Sequence, residues 1–199
     1  MADQDSRRLA PTVLLGGGIG AGKTRVAELF AAAGFLVISS DEVGRQVLAP
    51  GSDAVALVES IWPDVVVDGV VDRSALAAHV FRDPADLARL ERITHPGIEA
   101  AIRTQVEATQ EPVVIEVPII SVLSDAPFLR IAVVADENIR LERAVARGGV
   151  EADVRSRMEH QSTDDQWRHW ATVVIENSGS WETTEIRARR VIEDVLTDD

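Results

Sequence analysis

Apolar residues along this chain fall into two recurring patterns. Unbroken runs of Val, Ile and Leu stand at TVLLG (12–16), FLVIS (35–39), PVVIEVP (112–118), LRIAVVA (129–135) and TVVIEN (172–177). Such runs are short and continuously apolar, and they predict five buried strands of a parallel sheet. Between them the spacing becomes helical. From Thr24, the residues Val26, Leu29, Phe30 and Ala33 share one helical face, and Gly34 is a natural stop. The chain therefore opens strand, glycine loop, helix, strand, which is a βαβ unit.

Two longer polar stretches interrupt this alternation. Residues 42–110 are helix-prone, with turn signals at APGSD, WPD and VDGVVD. They are too long for a simple crossover and are expected to form a helical, acceptor-binding insertion. Residues 137–170 are Arg-rich and helical, broken at Gly148 and Gly149, and their composition suits a mobile lid. An amphipathic helix carrying Ile186, Val191, Ile192 and Val195 ends the chain, and residues 1–10 read as a disordered tail. The whole, 1–199, is expected to be one α/β unit: core at 12–41, 111–136 and 171–199, insertion at 42–110, lid at 137–170.

Composition narrows the chemistry. Cysteine is absent, which excludes disulfides, thiolate catalysis and Cys-ligated zinc. A net charge of −13 argues against broad electrostatic binding to nucleic acid or membrane, so any polyanionic ligand must meet a local concentration of positive charge. No apolar run reaches 18 residues and no leader-like segment opens the chain, so a cytoplasmic monomer or small homo-oligomer is expected. Tyr is also absent and aromatics make up 4% of residues, so the core must be aliphatic.

Against this background one residue stands out. Lys23 is the single lysine among 20 Lys and Arg residues, and it lies in the run Gly17, Gly18, Ile19, Gly20, Ala21, Gly22, Lys23, Thr24. That run fits G-x-x-x-x-G-K-[ST] between a strand and a helix, the context of a phosphate-binding loop. Its glycines let backbone N–H groups turn around phosphate oxygens, and the following helix points its positive end at them. Lys23 would reach the β- and γ-phosphates as a point charge on a flexible stem, and Thr24 would offer its hydroxyl to Mg²⁺. The fold class is thus a P-loop NTPase three-layer sandwich with a five-stranded parallel sheet, and the expected ligands are ATP and Mg²⁺. With no N-K-x-D guanine motif, an early insertion and a late Arg-rich segment, the layout points to small-molecule kinases.

The strings GGIGAGKT, SSDEVGRQVLAPGS, DGVVDRSALAAHVFRDPADLARLERITHPGI, VIEVPII and VIENSGS, in this order over residues 13–195, resemble the dephospho-coenzyme A kinase family. The resemblance implies transfer of the ATP γ-phosphoryl to the ribose 3′-hydroxyl of dephospho-CoA, a small-molecule acceptor. It implies that Asp41 is the base for that hydroxyl, against the competing reading of a helix N-cap. Arg45, one helical turn on, would grip acceptor phosphate or stand in solvent. Glu116 would hold Mg²⁺ through water or end a solvated strand. Arg143 and Arg147 would close over the transferring phosphoryl or form a solvated face. His95 and Pro118 fall on the acceptor side, with Pro96 in the first turn of a new helix. Asn177 would begin the adenine-contacting loop or occupy a turn. His79, His160 and His169 show no metal-ligand spacing, and the tryptophans read as packing or surface anchors.

The match also has departures. Ser39 and Gly16 stand where the family has Asp and Thr, and Ile119-Ile120-Ser121-Val122 lacks an acid. Ala171-Thr172 and Glu176-Asn177 replace Ala-Asp and Asp-Asn. A kinase with a different acceptor and a non-catalytic ATP-binding relative therefore stand beside the main reading.

Overall fold

The computed structural model describes residues 10–80 and 82–197; the expected disordered tail lies outside them except for Ala10. The elements run β1 (Thr12–Gly16), α1 (Lys23–Ala32), β2 (Leu36–Ser39), α2 (Ser40–Val47), α3 (Asp53–Ile61), β3 (Val66–Val67), β4 (Val70–Val71) and α4 (Arg73–Val80). There follow α5 (Pro84–Glu107), β5 (Val113–Val117), β6 (Leu129–Val134), α6 (Glu137–Ala146), α7 (Glu151–Glu159), α8 (Asp164–Trp170), β7 (Val173–Glu176) and α9 (Trp181–Thr197).

All five expected strands form one parallel sheet in the order β2-β5-β1-β6-β7. Strand β1 is central; the crossover leaving it runs to β2 at one edge, and the crossover leaving its neighbour β6 runs to β7 at the other. The carboxyl end of β1 is therefore the switch point at which an open α/β sheet leaves a crevice. Alternate residues of each strand feed two cores. Val13, Leu15, Ile131 and Val133 pack with Phe30 of α1 and Ile192 of α9. Leu14, Ile115 and Val113 pack on the other face with Ile98 and Ile102 of α5. Helix, sheet, helix is the expected three-layer sandwich. At about 25 cal/mol per Å² of apolar surface removed from water, these two cores dominate its stability.

Several sequence expectations need correction. Ala33 is exposed, because α1 ends at Ala32 and Ala33 is its C-cap; Ala27 takes the buried position instead. Ile186 is exposed too, and Thr184, Ala188, Ile192 and Val195 form the buried stripe of α9. Pro96 begins no helix but lies inside α5, which runs unbroken from Pro84 to Glu107. The signal for a starting proline belongs to Pro84, preceded by Asp83, whose carboxylate accepts from the Ala85 N–H at 2.8 Å. Pro96 forfeits one intrahelical bond, and burial of Thr94, Ile98 and Ile102 carries the helix through.

The VDGVVD turn is the tip of an antiparallel hairpin, β3–β4. Asp68 (φ 51°) and Gly69 (φ 75°) both adopt left-handed backbone, as a two-residue hairpin turn requires. Together with α3 and α4, this hairpin encloses a small satellite core of Val55, Val58, Trp62 and Val65. Helix α8 packs against β6 through the fully buried Trp167, so this end of the expected lid belongs to the core by its packing.

Candidate active site

The loop between β1 and α1 is shaped by contacts behind it. At Gly22 (φ 97°) an added Cβ would collide with the side-chain amide of Asn177, and at Gly20 with the backbone carbonyl of Arg140. Both positions have left-handed φ, so only glycine fits them. The N–H groups of Gly20 and Gly22 donate to no acceptor among the described residues. They stand at the amino end of α1, where the helix dipole favours an anion.

Asn177 is buried, and its amide is fully committed. Its Nδ2 donates to the Ala21 carbonyl at 2.7 Å, and its Oδ1 accepts from Thr184 Oγ1 at 2.9 Å. Its side chain braces the loop between β1 and α1. Arg143 donates from Nη1 to the Asn177 carbonyl at 2.9 Å, and Arg147 lies exposed at the C-cap of α6 with Nε on the Arg143 carbonyl.

Arg140, which no motif marks, is buried. It donates to the carbonyls of Ala135 (3.1 Å) and Ile19 (3.4 Å) and pairs with Asp164 at 3.5 Å. Gln161, also missed, accepts from the Ile19 N–H at 2.8 Å. No sequence signal marks either residue, because each acts through a contact more than 100 positions away along the chain.

In front of the loop, the carboxyl ends of β2 and β5 bring most of the expected site residues together. Lys23, Thr24, Asp41, Arg45, Glu116 and Pro118 line one polar pocket of about 190 Å³. Asp41 is not the cap of α2: Ser39 is, its hydroxyl accepting from the Glu42 N–H, which leaves the Asp41 carboxylate for the pocket. The departure from Asp to Ser at 39 thus preserves a capping group. Glu116 precedes the last residue of β5 and is half-buried. Burial pushes its carboxyl above the usual range; the Lys23 charge and a hydrogen bond from Thr24 pull the other way, and the Asp41 charge adds to the rise.

A larger cleft of about 680 Å³ joins Ile19, Lys23 and Asp41 to Arg157 and Gln161 of the lid segment. A third cavity, of about 440 Å³, holds Asp41, Arg45 and His95 together with Arg73. Asp41 borders all three spaces, and Arg45 borders the first and third.

No group of three His, Cys, Asp or Glu side chains among the described residues makes a metal cage by itself. Thr24 and Glu116 instead form a small, hard oxygen pair at the loop. That set fits Mg²⁺, which keeps waters and shares itself between one or two protein oxygens and substrate phosphates.

The profile of the dephospho-CoA kinase family matches residues 12–183. The chain belongs to that family. It is 37% identical to the dephospho-CoA kinase of Corynebacterium glutamicum over 91% of this chain and 97% of that one. The dephospho-CoA kinase of Mycobacterium tuberculosis is 40% identical over 89% of this chain, which spans only 45% of that longer protein. A solved Thermus thermophilus structure superposes with a TM-score of 0.79 at 28% identity, covering 94% of this chain and 98% of that one.

Family departures acquire local explanations. A Cβ at Gly16 would collide with the Trp167 ring, so glycine in place of the family's Thr goes with a tryptophan seated on β1. Glu176, in place of Asp, pairs with Arg168. Nothing in the structure explains the missing acid in Ile119–Val122. Among the described residues no helix is long and apolar enough to cross a membrane.

Proposed function

We propose that this protein transfers the γ-phosphoryl group of ATP to the ribose 3′-hydroxyl of dephospho-CoA, forming coenzyme A in the cytoplasm. Family membership supports the reaction. The observation that carries the assignment of roles is the pocket in which Lys23, Thr24, Asp41 and Glu116 converge. The loop amides and Lys23 receive the nucleotide phosphates. Thr24 and Glu116 hold Mg²⁺, which would neutralise charge on the phosphates when bound. Asp41 accepts the proton of the attacking hydroxyl, and Arg45, His95 and Pro118 shape the acceptor side. Arg143, Arg147 and Arg157 supply lid charge as the phosphoryl moves. Such transfer needs little covalent chemistry from the protein, so positioning and charge neutralisation account for the rate.

Steady-state assays with MgATP and a panel of hydroxyl acceptors test this reading. Efficient turnover is expected with dephospho-CoA. Turnover restricted to another acceptor, or ATP binding without any turnover, would refute it. Asp41→Asn is expected to keep ATP affinity within about twofold while lowering single-turnover phosphoryl transfer by about 10²–10⁴-fold. Undiminished transfer would remove Asp41 from its role.

A further inference from the structure

The cavity beside Asp41 contains a second guanidinium, that of Arg73, which has no assigned role in the site. Arg73, the first residue of α4, reaches back 28 positions and donates from Nη2 to the Arg45 carbonyl at 3.2 Å. Both arginines line the same space as Asp41 and His95. Neither has a carboxylate within ion-pair range among the described residues, although the chain carries 33 Asp and Glu against 20 Lys and Arg. Nearby carboxylates are otherwise used. Asp72 accepts from the Ser74 and Ala75 N–H groups, capping α4. Glu91 shares the cavity wall without pairing with either arginine.

Two guanidinium groups without a counter-ion line one wall and present N–H donors and positive charge to an anionic ligand. Ser40 lines the same wall, and its buried hydroxyl has no hydrogen-bond partner. Apart from Thr94, whose hydroxyl donates to the Leu90 carbonyl, the remaining lining, including Leu90, Ile98 and Val122, is apolar. The cavity therefore offers a cationic end and an apolar end next to the candidate base.

We infer that Arg73 and Arg45 together receive the diphosphate of the acceptor. The inference rests on the proposed function. An acceptor whose 3′-hydroxyl sits at Asp41 carries its diphosphate on the 5′ carbon of the same ribose, so the two sites must lie within the span of one sugar. Arg73 borders only the acceptor cavity, whereas Arg45 also borders the pocket at Lys23. Arg73 is thus the charge dedicated to the acceptor, and planar guanidinium pairs suit phosphate oxygens. The competing role is structural: Arg73 satisfies one of the last carbonyls of α2.

Acceptors with and without the diphosphate separate the two roles. Dephospho-CoA and adenosine are titrated calorimetrically into wild-type and Arg73→Ala proteins saturated with a non-hydrolysable MgATP analogue, and kcat/KM is measured for both acceptors. Arg73→Ala is expected to weaken dephospho-CoA binding and kcat/KM by about 10–100-fold. Adenosine values and ATP affinity should stay within twofold. Arg73→Gln, which removes the charge but keeps a polar side chain and part of the stem, should behave likewise and covers the case of an alanine variant that does not fold. Equal losses for both acceptors, no loss, or wild-type protein that binds dephospho-CoA no better than adenosine would overturn the inference. Failure of the proposed function itself looks different: wild-type enzyme would bind dephospho-CoA and yield no coenzyme A.

Discussion

At the residue scale, Glu116 shows how a site trades stability for chemistry. Its carboxyl is raised mainly by burial, so the folded state favours the protonated form more than the unfolded chain does. The sign follows. Any stability this group contributes is fully present below the ordinary Glu range and is lost as pH rises through the higher folded value. Glu116→Gln is therefore expected to melt at a higher temperature than wild type at pH 7, with the difference shrinking toward pH 4. Thermal melts of nucleotide-free protein across that range provide the check, and a pH-independent difference would contradict it. The same variant should lose most of its Mg²⁺-dependent turnover, because an amide oxygen is a poorer ligand for a hard cation.

At the element scale, β1 and α8 are coupled by one missing side chain. Gly16 ends the central strand, and Trp167 and Trp170 crowd the place where its Cβ would stand, their own rings packed edge to face at 5.2 Å. Gly16→Thr, a return to the family residue, should destabilise the fold by about 1–3 kcal/mol through overpacking, read as a lower denaturation midpoint. Trp167→Leu introduced alongside should cost less than the two single changes added together, since the space it opens relieves the Gly16→Thr clash and the threonine fills part of that space. Additive costs would show that the two positions are not coupled.

At the scale of the whole molecule, the arginines of 137–170 divide by what each reaches. Arg140 anchors the loop from behind, and Arg155 is paired with Glu151 within α7. Arg143 is spent on the Asn177 carbonyl, and Arg147 stands exposed at the end of α6. Arg157 borders the cleft with Lys23 and Asp41. In single-turnover assays Arg157→Ala should therefore slow phosphoryl transfer most, by about 10²–10³-fold, with Arg147→Ala and Arg143→Ala trailing it. A larger defect in Arg147→Ala would mean that the lid reorganises substantially when nucleotide binds.

Much of this was readable in the chain because it is local. Continuous aliphatic runs identify all five strands, since a strand buried on both faces must be apolar throughout. The glycine-lysine-threonine spacing marks the phosphate loop, since those backbone angles and that charge are needed within eight consecutive residues. What the sequence could not reveal depends on pairs distant in the chain. The local choice of cap at α2 fell to Ser39 rather than Asp41, and the hold of Asn177 on the loop exists because Ala21, 156 positions away, lies beside it. Pro96 stays helical because α5 is held by the cores on which it packs. Arg140 and Gln161 carry no local signature, and nothing local in the chain gives Arg73 its partner. Their partners exist only once the sheet has brought separate helices to its carboxyl edge, and a side chain's role there follows from what it touches.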